Sequence, residues 1–271
     1  MYFTPTARLT TNGRMTVART ILKDGEFVDT TYEHKDTLFR IMKPEEKSKV
    51  KDFMLDNFYT NAIVPSAIKL RDTWPKFEYL NDEMDLMLDS PACVVTTNVK
   101  EEIVGAVINT IWLTDPDYET FPVDPVEWLN LSGDIAMETT KDPLYRAVIW
   151  RNYQFMLIYH LTQSLAQKHG CAYYLYGGMG YTKPEYRSRG GTPLFMSFCN
   201  DWAESKNTLF FNTATYPGFM TMIERNLPGI FVTLANMPYN KLTFRLQDDD
   251  FSAFSALEEG MVLMASNRIS A

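Results

Sequence analysis

The sequence predicts one α/β domain preceded by a short appendage, on three observations. From Leu38 to Leu246, β-rich runs alternate with segments of helical periodicity. A chain of 271 residues with a hydrophobic share of 45% can bury a core without disulfides or metals. No internal repeat or low-complexity tract interrupts the pattern.

Residues 1–36 read as the appendage. Arg14–Ile21 and Phe27–Tyr32 flank Lys23-Asp24-Gly25, a hairpin turn signature, so a β-hairpin is expected. The domain, 37–271, opens with a strand at Leu38–Met42. Pro44-Glu45-Glu46 then starts a helix, because proline suits the first turn and carboxylates complement its positive end. Val50, Phe53, Met54 and Phe58 follow at helical spacing and mark the core face.

Between Asn61 and Ser90 the pattern is helical but interrupted by Pro65 and Pro75. Ala92–Thr97 and Ile103–Trp112, joined across Asn98–Glu102, read as an antiparallel pair. Asp115–Asp134 carries Pro116, Pro122 and Pro125 and reads as an irregular excursion. Asp142-Pro143 starts and His169-Gly170 stops a long helix, Pro143–His169. Ala172–Met179 reads as a buried strand and Pro193–Ser205 as a helix with Pro193 at its first position. Strand Leu209–Phe211, helix Pro217–Arg225 and strands Ile230–Leu234 and Leu242–Leu246 complete the core.

The charges narrow the function. Lys plus Arg number 26 against 34 Asp plus Glu, a net charge of −8, which disfavours nucleic acid as a partner. Cys93, Cys171 and Cys199 are odd in number and have no CxxC spacing, so neither a disulfide scaffold nor a metal site is expected. No apolar run approaches the ~20 residues a membrane helix needs, and Met1–Arg8 does not resemble a leader. The expectation is a cytoplasmic protein with no membrane or nucleic-acid partner.

The informative stretch is Gly177–Leu194, where a buried strand runs into a turn rich in Arg and Gly that opens a helix. Backbone N–H groups of such a turn and of the helix's first turn converge on one spot and favour an anion there. Lys183, Arg187 and Arg189 add local positive charge, as a pyrophosphate-binding turn needs. A plain surface turn with basic residues is the other reading. A Walker A loop is excluded, since GxxxxGK[ST] does not occur, and GxGxxG is missing after the strand.

Arg187, Gly190 and Thr192 occupy the three positions of the [Q/R]xxGx[G/A] pattern, so the stretch resembles the acyl-CoA loop of the GNAT N-acyltransferase superfamily. Within it the chain is similar to animal arylalkylamine N-acetyltransferase-like proteins. The shared features are Met42-Lys43-Pro44-Glu45-Glu46 leading to Phe58-Tyr59, the strand start Glu102-Ile103-Val104-Gly105, and the hydroxyl-rich Asn212-Thr213-Ala214-Thr215-Tyr216 before a late helix. The resemblance implies a mixed, twisted sheet splayed open near its middle, helices on both faces and acetyl-CoA in the cleft. It implies that Tyr181, Thr182, Arg187, Ser188, Arg189, Gly190, Gly191 and Thr192 hold that acyl donor. The implied reaction moves an acetyl group to a small-molecule amine by direct attack in a ternary complex, in a monomer or weak homodimer.

Three departures from the family pattern stand out. Thr192 replaces a small residue, and Pro193 removes an N–H from the turn. Tyr59–Ser66 contains no acid where the family places its general base, and Met222 and Ile223 fill the region where many members carry a tyrosine acid. Transfer requires a deprotonated amine and a proton for the departing thiolate. Candidate bases are Asp134 and Glu138, otherwise solvated loop carboxylates. Candidate acids are Tyr216, Thr213 and Thr215, or Tyr181, and of these Tyr216 is the expected catalytic residue.

His160, beside Leu157 and Leu161, reads as a core histidine, and His34 and His169 as exposed. The cysteines read as packing residues rather than nucleophiles. Trp112, Tyr118, Phe121 and Trp128 either floor an aromatic amine pocket or anchor the insertion. The alternative to an enzyme is a catalytically silent acyl-CoA-binding protein of the same fold, and beyond that a structural α/β domain whose turn binds nothing.

Overall fold

The computed structural model describes residues 2–4, 20–23, 26–28, 31–34, 36–62, 65–66, 71, 78–90, 92–117, 158–187, 190–214, 218–238 and 260–266. The expected helix over Pro143–Leu157, the expected strand Leu242–Leu246 and most of the Asp115–Asp134 excursion lie outside them.

The N-terminal residues form a small antiparallel sheet of β1 (Tyr2–Thr4), β2 (Thr20–Lys23) and β3 (Glu26–Val28). Ile21 pairs with Val28 and Lys23 with Glu26, so β2 and β3 form an antiparallel pair where a hairpin is expected. The second expected hairpin strand, Phe27–Tyr32, is not one strand. Its later residues belong to β4 (Thr31–His34), which pairs with β5 (Thr37–Ile41) at the edge of the main sheet. The two residues between His34 and Thr37 allow only a tight reversal, and this couples Thr31–His34 to the larger sheet rather than to β2.

A short 3-10 turn at Pro44–Glu46 leads into α1 (Lys47–Asn61). Glu46 accepts the Lys43 amide at 2.9 Å and pairs with Arg40 through both oxygens at 2.6 Å, tying the helix start to β5. Val50, Phe53 and Met54 are buried as their spacing requires, but Tyr59 rather than Phe58 completes the buried face. Then come α2 (Glu78–Leu88), β6 (Val94–Asn98), β7 (Ile103–Leu113) and the described turns of α3, 158–168. Helix α3 ends as its glycine predicts. Gly170 has φ +63°, the Cys171 amide reaches the Ala166 carbonyl at 2.9 Å and the Gly170 amide reaches that of Gln167 at 2.9 Å.

The remainder is β8 (Tyr173–Thr182), α4 (Gly191–Ser205), β9 (Phe210–Ala214), α5 (Phe219–Asn226), β10 (Phe231–Pro238) and β11 (Gly260–Ser266). Among the described residues the main sheet has eight strands in the order β10-β11-β9-β8-β7-β6-β5-β4. Every pairing is antiparallel except β8 with β9. Strand β11, a run of Met261-Val262-Leu263-Met264-Ala265, inserts between β9 and β10 and lies beyond the Leu242–Leu246 strand expected to end the core.

Helices cover both faces. One core cluster joins α1, α2 and α3 to Ala106, Ile108, Tyr174, Tyr176, Met179 and Phe211. The other joins α4 and α5 to Val94, Leu175, Phe210 and Met264. Fully burying one Leu or Phe side chain contributes on the order of 1.5–3 kcal/mol, and each face holds many.

Candidate active site

The parallel pair β8–β9 is short. It runs from Leu175 opposite Phe210 to Gly177 opposite Asn212 and no further. Beyond that rung β8 continues through Thr182, still paired with β7, while Thr213 and Ala214 of β9 pair with Leu263 and Val262 of β11. The two strands therefore part, and the sheet is open near its middle. At the same level the β7–β8 register slips by one, so that Ile108 faces Met179 and Asn109 faces Gly177, with Gly178 as the extra residue. Such a bulge raises local twist and re-aims the strand.

The basic turn lies at the mouth of this fork, and several hydrogen bonds fix it. The Lys183 amide reaches the Val104 carbonyl at 2.9 Å, and a 3-10 turn spans Pro184–Tyr186. Asn98 anchors the neighbouring β6–β7 turn. Its Oδ1 accepts the amides of Lys100 and Glu102, and its Nδ2 donates to Glu102 Oε2 at 2.7 Å and Tyr186 Oη at 3.3 Å. Arg187 donates from Nε to the Thr182 carbonyl at 2.9 Å and lies over the Tyr181 ring, 5.2 Å from its centroid. Those contacts occupy one of the five guanidinium donors and orient the exposed remainder.

Gly190 caps α4 with φ +82°, a left-handed conformation that glycine adopts without steric cost. The helix begins at Gly191, two residues before the Pro193 start that the sequence predicts, so Pro193 occupies its third position. There the missing N–H costs the helix no bond, since the first amides have no intrahelical acceptor. The first helical bond is Leu194 to the Gly190 carbonyl at 3.2 Å. Gly191 and Thr192 are exposed, nothing lies within 4 Å of where a Gly191 Cβ would be, and the first turn holds no acidic residue. A helix N-terminus of this kind, preceded in the chain by Lys183 and Arg187, suits a multivalent anion.

Other expected site residues fall differently. Ser188 and Arg189 of the turn, Thr215 and Tyr216 beyond β9, and Asp134, Glu138, Tyr118, Phe121 and Trp128 of the insertion lie outside the described residues. Thr213 is in β9 and not in a turn, and its Oγ1 lies 2.8 Å from Tyr176 Oη. Trp112 stacks on Tyr176 with ring centroids 4.5 Å apart and also packs on Tyr159 and Tyr174, a cluster on the α1–α3 face. Tyr181 is half-buried against Phe53. Tyr59, at the aromatic end of α1, is buried and donates to Met179 Sδ at 3.0 Å.

His160 is buried as expected, whereas His169 is half-buried rather than exposed. Burial raises the Cys93 thiol to about 12 and Cys199 well above its ordinary value, so neither supplies a thiolate at neutral pH. Among the described residues no cluster of His, Cys, Asp and Glu could hold a metal ion, and no helix is long and apolar enough to cross a membrane.

The contacts that sequence reasoning missed are Asn98 with Tyr186, Asn212 with Gly177, and Tyr176 with Thr213. Each joins residues at least 35 positions apart, so no local pattern could reveal them.

No family model matches the chain, and no curated protein matches it. Solved structures do. Arylalkylamine N-acetyltransferase 2 from Aedes aegypti aligns with a TM-score of 0.59 at 12% identity, over 85% of this chain and 98% of its own. An insect putative arylalkylamine N-acetyltransferase 7 from the same mosquito gives 0.53 at 17% identity, over 84% and 86%. The Drosophila melanogaster polyamine N-acetyltransferase, an enzyme that forms N-acetylagmatine, gives 0.53 at 13% identity, over 85% and 99%. At these identities the likeness establishes the fold. The chain has the fold of the GNAT N-acetyltransferases, with a mixed open sheet and helices on both faces.

Proposed function

We propose that the chain is an acetyl-CoA-dependent N-acetyltransferase acting on a small amine by direct attack in a ternary complex. The observation that carries this reading is the anion-suited turn from Lys183 to Thr192, set at the mouth of the β8–β9 fork. The pyrophosphate of the donor lies on the Gly190–Thr192 amides and the side chains of Arg187, Ser188 and Arg189. Tyr181 and Thr182 border the chain that leads to the thioester. Solved structures of the same fold include amine N-acetyltransferases, which supports an amine as acceptor.

In the reaction the amine nitrogen bonds to the thioester carbonyl carbon and the C–S bond breaks. One proton leaves the nitrogen and one reaches the CoA sulfur. Tyr216 delivers the second, following the end of β9 by two residues. The first goes to solvent or to Asp134 or Glu138, because the end of α1 offers no carboxylate. The acyltransferase domain is residues 37–271 together with β4, which pairs with β5 at the sheet edge, and the residues before β4 are an extension, in a cytoplasmic protein that is a monomer or weak homodimer.

A second reading, a silent acyl-CoA-binding protein, is favoured by one observation: the stretch that follows the aromatic end of α1, Thr60–Ser66, carries no carboxylate to act as base. Calorimetry with CoA followed by thiol release from acetyl-CoA, with arylalkylamines, polyamines and amino acids, separates the readings. Arg187→Ala is expected to weaken CoA at least tenfold, since a charge-assisted hydrogen bond contributes about 1.5–3 kcal/mol. Tight CoA binding without thiol release, even at high pH, selects the silent protein.

A further inference from the structure

At the level where β8 and β9 part, one row of residues crosses three strands: Asn109 on β7, Gly177 on β8 and Asn212 on β9. Asn212 is 8% exposed, and its Nδ2 donates to the Gly177 carbonyl at 3.1 Å, across the last rung of the pair. Gly177 makes this contact possible, because a Cβ at that position would collide with Asn212 Nδ2 and press on Phe210 and Asn109 Oδ1. Asn109 is fully buried. Its Nδ2 faces the Ala92 carbonyl and Cys199 Sγ, while its Oδ1 has no hydrogen-bond partner.

A buried primary amide beside an unpartnered acceptor in a sheet interior calls for a reason. Parallel pairing is weaker per residue than antiparallel pairing, and a ladder that ends inside a sheet can fray backward one rung at a time. A side-chain bond onto the last carbonyl opposes that fraying.

We infer that Asn212 is a positioning residue whose amide rivets β8 to β9 at Gly177 and so fixes the apex of the cleft. This rests on the acyltransferase reading for its consequence. The turn at Gly190 holds the anionic end of the donor, and the apex sets how far the thioester end penetrates between the strands. A fixed apex holds the carbonyl at one distance from the attacking amine, and such placement acts on the chemical step rather than on binding.

The test is residue-resolved amide exchange on the full chain without ligand, for the parent, Asn212→Leu, Asn212→Ala, Gly177→Ala and the Gly177→Ala/Asn212→Ala pair. Losing the rivet is expected to speed exchange at Gly177 and Phe211 at least tenfold while the Ile108 and Val95 amides keep their parent rates. Gly177→Ala, which expels the amide by collision, is expected to match Asn212→Ala, and the pair to add little to either. Parent-like exchange at Gly177 and Phe211 in the folded Asn212 variants overturns the inference. So do two single effects that simply multiply in the pair.

In turnover, Asn212→Ala is expected to lower kcat at least tenfold with CoA affinity within threefold of the parent. Unchanged kcat with faster exchange overturns the positioning role. Failure of the parent to bind CoA or transfer acetyl overturns the acyltransferase reading instead, and the exchange rates still decide the rivet.

Discussion

The Tyr176 hydroxyl meets Thr213 Oγ1 at 2.8 Å and joins β8 to β9 on the face opposite Asn212, close to the point where the strands separate. Trp112 stacks on the Tyr176 ring and holds it in place. Thr213 is half-buried and therefore has the access that the fully enclosed Tyr176 lacks. If this pair, rather than Tyr216, supplies the proton for the departing thiolate, Thr213→Val will lower kcat by about 10²-fold or more at unchanged CoA affinity. Tyr216→Phe in parallel assigns the role, since only the true donor should depress kcat selectively.

Gly190 has φ +82°, so any side chain there is strained whatever space surrounds it. Gly190→Val is expected to lower stability by about 1–2 kcal/mol and to abolish measurable CoA binding, because the cap and the anion site share this residue. Thermal unfolding and calorimetry on the same sample check both effects. Parent-like CoA affinity in the folded variant would remove the turn from the binding site.

Pro193 sits in the first turn of α4, where its missing N–H breaks no helical bond. Pro193→Ala restores a fourth donor beside the Gly190, Gly191 and Thr192 amides. CoA affinity is expected to rise a few-fold, with a stability loss of about 0.5–1 kcal/mol as the unfolded chain gains freedom. Unchanged affinity in calorimetry would mean that the amide at this position points away from the ligand.

Asp201 on α4 has a buried carboxylate oxygen, Oδ2, with no hydrogen-bond partner. Burial, with repulsion from Glu204 second, pushes its pKa up to about 7. The unfolded chain releases that proton near pH 4, so the folded state binds it more tightly, and stability falls as pH rises from about 4 through about 7. Asp201→Asn is expected to flatten that slope and to raise stability at pH 8 by on the order of 1–3 kcal/mol. Chemical denaturation at pH 5 and pH 8 measures the difference, and an identical slope in the variant would contradict it.

Much of this molecule is legible locally. The period of Val50, Phe53 and Met54 names the buried face of α1, Gly170 names the end of α3, and Asp24-Gly25 names the first hairpin, because each depends on backbone preferences within a few residues. The left-handed glycine that opens α4, Gly190, is legible in the same way, since it directly precedes the helix it caps. Only the tertiary structure places β11 between β9 and β10, moves Thr31–His34 onto the main sheet, and brings Asn212 to Gly177 and Tyr176 to Thr213. Those relationships depend on which strand lies beside which and where two parallel strands stop pairing. That is decided by packing both faces of the sheet at once, and no stretch of sequence encodes it alone.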